Sequence, residues 1–157
     1  MELTDTVVAR LCLAIFLVPL LAGAVLVFFG RRLPRGGDWL ATAGIATSAA
    51  IALTLLFRFT FAQWDPGWHW ASAEHGLSWR WLDLGGVQFS VGFWLDNMTV
   101  IMLSMVTVVA TCIFLFSQGY MHGDRDYPRF FAYLSYFCFA MLGLVVVDNL
   151  LFLFIFW

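Results

Sequence analysis

Two Asp-Asn pairs are the strongest candidates for acid–base chemistry in this sequence. Asp96 precedes an apolar run that begins at Met98, and Asp148 precedes the apolar run Leu150–Trp157. A carboxylate in such a position caps a helix, because it accepts hydrogen bonds from free N–H groups and complements the positive helix end. The alternative is a proton relay at a membrane edge, for which Asp148, at the cytoplasmic mouth of a channel, is the better candidate. Both interpretations stay open at this point.

Arg129 and His122 are the other candidates for a proton path. Arg129 follows Pro128 and either anchors a membrane helix at the interface or pairs with a carboxylate, for which the choices are Asp124, Asp126 and Asp148. His122 could exchange protons near neutral pH, although a histidine in a loop is more often simply solvated.

The sequence predicts no metal or cofactor site. Cys12, Cys112 and Cys138 lie in separate apolar stretches, where a cysteine usually behaves as a small buried hydrophobe. Neither a CxxC nor an HxxxH spacing occurs. With a net charge of −2 and no basic run, nothing points to nucleic acid.

The candidate residues flank segments that are long enough to cross a bilayer. Hydrophobic residues make up 62% of the chain and charged residues 11%, which indicates an integral membrane protein. Four uncharged stretches would each form a helix about 28 Å long, which matches a hydrocarbon core of about 30 Å. They are Leu11–Phe29, Trp39–Phe57, Met98–Phe116 and Phe130–Val147, and Leu150–Trp157 would begin a fifth helix.

None of the predicted spans contains an aspartate, glutamate or lysine. A proton or cation carrier needs a titratable group near mid-membrane. The chain by itself therefore holds no complete carrier site and no catalytic site.

The connection between the second and third predicted helices has a different character. It holds six of the eight tryptophans, which favour the headgroup level of a membrane. The segments "WRWLDL" and "VQFSVGFW" have strand-like content and alternation, and Gly85-Gly86 between them suits a tight turn. We therefore predict a small external β-hairpin between helices 2 and 3 of an all-α membrane fold.

Arginines in the short connections predict the orientation. Arg31, Arg32 and Arg35 lie between helices 1 and 2, and Arg125 and Arg129 lie between helices 3 and 4. The positive-inside rule places these connections in the cytoplasm and the N-terminus outside.

The second half of the chain resembles a known family. The stretches "VGFWLDNMTVIMLSMVTVVA" and "YMHGDRDYPRFFAYLSYFCFAMLGLVVVDNLLFLFIFW" are similar to the antiporter-like L subunit of NADH–quinone oxidoreductase, respiratory complex I. Residues 91–157 would be the start of its proton-translocating domain, with helices 3, 4 and the first half of 5. Residues 1–90 would be its variable opening helices 1 and 2 with the Trp-rich connection, matching in hydropathy only.

The resemblance implies a larger protein with two inverted repeats, each with a broken helix and a proton half-channel. It also implies that a glutamate, the essential ionisable group of helix 5, follows Trp157 directly. The chain would then be an N-terminal part of a proton-translocating NADH–quinone oxidoreductase subunit without a redox centre. That subunit would be enzymatic only as part of its complex.

Two alternatives to this function remain. One is the large subunit of a multisubunit sodium/proton antiporter or of a related hydrogenase or inorganic-carbon uptake complex. The other is a short structural scaffold subunit. The expected partners are other membrane subunits, the lipid bilayer and protons or sodium ions. The expected location is the bacterial inner membrane, in preference to the mitochondrial inner membrane.

Overall fold

Helices dominate the computed structural model, which describes residues 5–58, 69–73, 78–83 and 88–157. Four long helices run through these residues: α1 Asp5–Phe29, α2 Asp38–Phe57, α3 Asn97–Tyr120 and α4 Tyr127–Val146. A shorter helix, α5, follows at Leu150–Phe156. Within the described part of the chain, the four long helices are long and apolar enough to span a membrane. The prediction of four spans is confirmed, and the protein is a multi-pass membrane protein.

Small antiparallel strands form in the connection between α2 and α3. The outer pair joins β1, His69–Ala71, to β4, Trp94–Asp96, and the inner pair joins β2, Trp79–Asp83, to β3, Gln88–Val91. The segments expected to pair do so, but the continuous strand expected over "VQFSVGFW" is interrupted after Val91. The expected turn at Gly85-Gly86 lies outside the described residues.

Glycines allow the long helices to approach one another closely. A Cβ on Gly44 of α2 would lie 3.2 Å from Ala22 Cβ of α1, and one on Gly23 would lie 3.2 Å from Ser135 Cβ of α4. Small residues at such contacts let helix backbones pack closely where a membrane supplies no hydrophobic driving force. α1 is thereby held against both α2 and α4.

Buried side chains form two clusters, one toward each end of the helices. The cluster near the strands includes Ile15, Leu55, Leu95, Leu103 and Leu142. The other cluster includes Leu26, Ile45, Phe114, Phe131 and Cys138. The helices therefore carry a packed core along their length, and that core fixes the polar groups at both ends.

Large apolar side chains also cover the outside of the bundle. On α3 alone the exposed ones include Met98, Met105, Val109, Ile113 and Phe116. Exposed apolar surface on this scale would aggregate in water, whereas it is expected of helices that face lipid or other membrane helices.

Tight turns join α1 to α2. Gly30–Arg32 and Pro34–Gly37 are short 3-10 segments, and Arg35, Gly36 and Gly37 have positive φ. Gly37 has a φ of 78°, which favours glycine, and a Cβ there would displace the Leu26 side chain. These turns, together with residues 121–126 and the adjoining helix ends, are called the arginine end below.

Candidate functional site

Asp96 caps helix α3, as the sequence predicts. Its backbone is extended, and its Oδ1 accepts a hydrogen bond from Thr99 N at 2.7 Å. That backbone hydrogen bond is the main reason why the pKa of the Asp96 carboxyl is below its usual value. The cap explains the position of the Asp96 carboxylate without a proton-relay role.

Asp148 does not cap helix α5, so that part of the prediction is wrong. The N-cap is Asn149, whose Oδ1 accepts from Leu151 N at 2.9 Å. Asn149 sits immediately before the first helical residue in an extended conformation, which is the geometry a cap requires. Asp148 is one residue too early, and its carboxylate points to another part of the chain.

The carboxylate of Asp148 binds the connection between α2 and α3. Its Oδ1 accepts from Gly92 N at 3.1 Å, and Asp148 N donates to Gly92 O at 3.3 Å. Beside this contact, Ser72 Oγ accepts from Phe93 N at 2.8 Å, and Ser72 N donates to Phe93 O at 3.0 Å. We call these four residues, Ser72, Gly92, Phe93 and Asp148, the clasp.

The clasp joins the strands to the break between α4 and α5. Val147 leaves the helical conformation and forms an antiparallel bridge with Phe93, and Asn149 Nδ2 donates to Ser90 O at 3.2 Å. Gly92 is buried, and a Cβ there would collide with Asp148 Oδ2 and the Ser72 hydroxyl. The chain therefore enters α5 from a position fixed by backbone and side-chain hydrogen bonds.

The candidate proton-path residues are not brought together. Asp148 lies at the strand end of the bundle, whereas His122 and Arg129 lie at the arginine end. The 20-residue helix α4, about 30 Å long, separates the two groups. The predicted cytoplasmic location of the arginines and the predicted cytoplasmic mouth at Asp148 therefore exclude each other, because the two groups lie at opposite ends of α4.

Arg129 pairs with Asp126, one of its three expected partners. The distance from Arg129 Nη1 to Asp126 Oδ1 is 3.2 Å, and both side chains are more than half exposed. An exposed pair three residues apart contributes little to stability. The arrangement suits an interfacial anchor at the start of α4.

Asp38 is a polar centre that the sequence analysis missed. The residue is 1% exposed, and Oδ2 accepts from Tyr127 Oη at 2.9 Å and from Arg35 Nη2 at 3.2 Å, while Oδ1 accepts from Trp39 N at 2.7 Å. A buried carboxylate needs this kind of compensation. The available signal was an acidic residue immediately before an apolar span and directly after Gly36-Gly37.

Asp38 and Tyr127 lie on the wall of an open cavity at the arginine end. The cavity has a volume of about 600 Å³. Its lining combines the α1–α2 turns with the α3–α4 connection: Arg31, Arg35, Gly36, Asp38, His122, Gly123, Asp124, Arg125, Tyr127 and Pro128. His122 is exposed and contributes to this lining.

Hydroxyl groups inside the bundle are bonded to helix carbonyls. Ser48 Oγ donates to Ile15 O of α1, and Ser104 Oγ donates to Ala52 O of α2. Thr107 and Ser135 donate to carbonyls of their own helices. These hydroxyls therefore serve as contacts within and between helices.

The described residues show no group of three or more His, Cys, Asp or Glu that could hold a metal ion.

Comparison with known proteins supports the resemblance to complex I subunits. The family model described as NADH-Ubiquinone oxidoreductase (complex I), chain 5 N-terminus, matches residues 81–131. Over 152 residues, 94% of the chain, the sequence is 36% identical to NADH-quinone oxidoreductase subunit L of Neisseria meningitidis. This chain is related to the N-terminal part of the antiporter-like subunits of complex I.

Two eukaryotic relatives support the same assignment. The chain is 38% identical over 89% of its length to NADH-ubiquinone oxidoreductase chain 5 of Metridium senile. It is 46% identical over 70% of its length to the chloroplastic NAD(P)H-quinone oxidoreductase subunit 5 of Anthoceros angustus. The chain covers 21%, 22% and 14% of the lengths of these three relatives.

The similarity extends well beyond residues 91–157. An alignment over 152 residues includes the opening helices, for which the sequence analysis had only a likeness in hydropathy. The motifs that suggested the family lie at both polar ends of the bundle. "YMHGDRDYPRFFAY" contains the α3–α4 connection, and "DNLLFLFIFW" contains Asp148 and α5.

Proposed function

We propose that this chain forms the opening part of an antiporter-like membrane subunit in a proton-translocating NADH–quinone oxidoreductase. The similarity of 94% of the chain to NADH-quinone oxidoreductase subunit L carries the proposal. The subunit works as part of a multisubunit membrane enzyme and moves protons, while electron transfer takes place on other subunits. This chain contributes no redox cofactor.

Within that subunit, the four-helix bundle supports the proton path. The spans lack Asp, Glu and Lys at mid-depth, and their buried hydroxyls are bonded to helix carbonyls. A bundle of this kind has no group that takes up and releases a proton. It holds α5 beside α4, where the Phe156 ring lies against Gly143.

The clasp is the part of this support nearest to α5. Hydrogen bonds from Asp148 and Asn149 fix the backbone immediately before Leu150. Phe156 of α5 packs on Gly143 of α4, where a Cβ would collide with the Phe156 ring. The direction of α5 is thereby set at both of its ends.

The N-terminus and the strand-containing connection face the outside, and the arginine end faces the cytoplasm. Five of the eight arginines, but only three of the ten acidic residues, lie at the arginine end. An excess of arginine in short connections is typical of the cytoplasmic side. In a bacterium the membrane is the inner membrane.

Affinity purification of the intact protein that carries this chain, from its own membranes, tests the proposal. We expect the purified assembly to oxidise NADH with a quinone as acceptor. An assembly that exchanges sodium for protons and does not oxidise NADH would instead establish the antiporter alternative.

A further inference from the structure

The lining of the cavity at the arginine end carries more positive than negative charge. Three arginines line it, Arg31, Arg35 and Arg125, against two carboxylates, Asp38 and Asp124. Of these, Asp38 is 1% exposed and has both oxygens occupied by Arg35, Tyr127 and the Trp39 backbone. Little of its charge is therefore available to a second cation.

Two of the arginines have no carboxylate partner among the described residues. Neither Arg31 nor Arg125 forms an ion pair with any residue that the structure describes, and both are exposed. Each guanidinium offers five N–H donors in a planar fork, which matches the oxygens of a phosphate. The cavity therefore has unused donors on two of its sides, one from each connection.

The third arginine contacts the buried carboxylate of Asp38. Arg35 has a φ of 57°, which is uncommon for a residue with a side chain, and its Nη2 is 3.2 Å from Asp38. The turn lies close to the start of α4, because a Cβ on Gly36 would be only 3.1 Å from Pro128 Cγ. One nitrogen of the guanidinium contacts Asp38, and the other donors of Arg35 remain for a ligand.

The cavity also lies at the depth of lipid headgroups. α1 and α3 end beside it, and α2 and α4 begin beside it, so it is at the boundary of all four spanning segments. Basic pockets between membrane helices at this depth bind the headgroups of anionic lipids. We propose that this cavity binds the phosphate of an anionic phospholipid, with Arg31 and Arg125 as its ligands and Arg35 positioned by Asp38.

Lipid binding to the intact protein tests the proposal by native mass spectrometry with phosphatidylglycerol as the probe. The site variant carries Arg31→Gln and Arg125→Gln. The control variant carries Arg32→Gln and Arg129→Gln, which removes the same charge from the same end without altering the cavity lining. Loss of two charge-assisted contacts should weaken phosphatidylglycerol binding about tenfold or more in the site variant. The control should stay within about twofold of the wild type, because its arginines contact no bound lipid.

Three results would overturn the proposal. An equal loss of phosphatidylglycerol binding in both variants would show diffuse attraction to the charged surface. Unchanged phosphatidylglycerol binding in the site variant would show that the lipid does not bind in the cavity. Displacement of the lipid by millimolar inorganic phosphate would show a site for free phosphate. Phosphatidylcholine binding and helical circular dichroism, unchanged in both variants, exclude misfolding as the cause of a loss.

Discussion

Asp96 and Asp148 have similar sequence surroundings and different partners. Asp96 accepts from the backbone of Thr99, three residues away, whereas Asp148 accepts from Gly92, 56 residues away. A cap is a local contact and can be read from sequence spacing. A contact such as the one between Asp148 and Gly92 depends on how the whole chain folds.

The cap at Asp96 makes stability depend on pH. We expect Asp96→Ala to lower the free energy of unfolding by about 1 kcal/mol at neutral pH. Because folding lowers the pKa of Asp96, its contribution is present above the unfolded-state pKa and is lost as the pH falls through the folded-state pKa. Denaturation of the wild type and the variant at several pH values measures this difference.

The difference between the two proteins should therefore shrink in acid. A stability difference that stayed constant from neutral pH to below the folded-state pKa would contradict the cap. Asp96→Asn serves as the control, since asparagine caps helices comparably and carries no charge that titrates.

At Asp148, asparagine and alanine should have different effects. Asparagine keeps an oxygen that accepts from Gly92 N–H, so the unfolding free energy should change by less than about 1 kcal/mol. Alanine leaves that buried N–H without its acceptor and should cost roughly 1–3 kcal/mol. Thermal unfolding of both variants measures the difference, with Asp126→Ala as a control for an exposed carboxylate whose partner, Arg129, is only three residues away.

A proton-relay role for Asp148 stays a prediction, and the same variants address it. If Asp148 acts only in the clasp, Asp148→Asn should leave proton uptake per NADH at the wild-type level in the intact complex. Stable folding combined with reduced uptake would contradict a purely structural role, because asparagine cannot exchange a proton.

At the scale of elements, the clasp predicts that Gly92 tolerates no side chain. In Gly92→Ala the new methyl group would collide with Asp148 and Ser72, separating the strands from the α4–α5 break. We expect a large loss of thermal stability and faster proteolysis in the connection between α2 and α3. The matched control is Gly119→Ala, where a Cβ meets no atom within 4 Å and helix propensity slightly favours alanine.

Near-equal melting temperatures of the two glycine variants would contradict the clasp. The comparison is informative because both substitutions add one methyl group, and only their surroundings differ.

The helices and most strand segments follow from sequence because their signals are local. Uncharged runs of the length of a bilayer identify α1 to α4, and alternation near Trp79 and Ser90 identifies the inner strands. The break after Val91 was not predictable, since Phe93 turns aside to pair with Val147. Likewise Asp38 meets Tyr127 across 89 positions, and no local pattern records that contact.

For the whole molecule, the arginine distribution predicts the orientation. Single cysteines at Ala73 and Gly119 report the two sides, because both positions are exposed and neither carries a charge that sets topology. Cys12, Cys112 and Cys138 are first replaced by alanine. On intact cells an impermeant thiol reagent should label the cysteine at position 73 and leave the one at position 119 unlabelled. The reverse pattern would invert the proposed topology.

The central claim is that this chain functions as the N-terminal part of a proton-translocating subunit. The most direct measurement is NADH-driven proton uptake by inverted membrane vesicles from cells in which this chain replaces the aligned part of a bacterial subunit L. The account predicts an assembled complex whose proton uptake per NADH is close to that of the unmodified enzyme. A complex that assembles and oxidises NADH, yet takes up fewer protons per NADH than the unmodified enzyme, would contradict it.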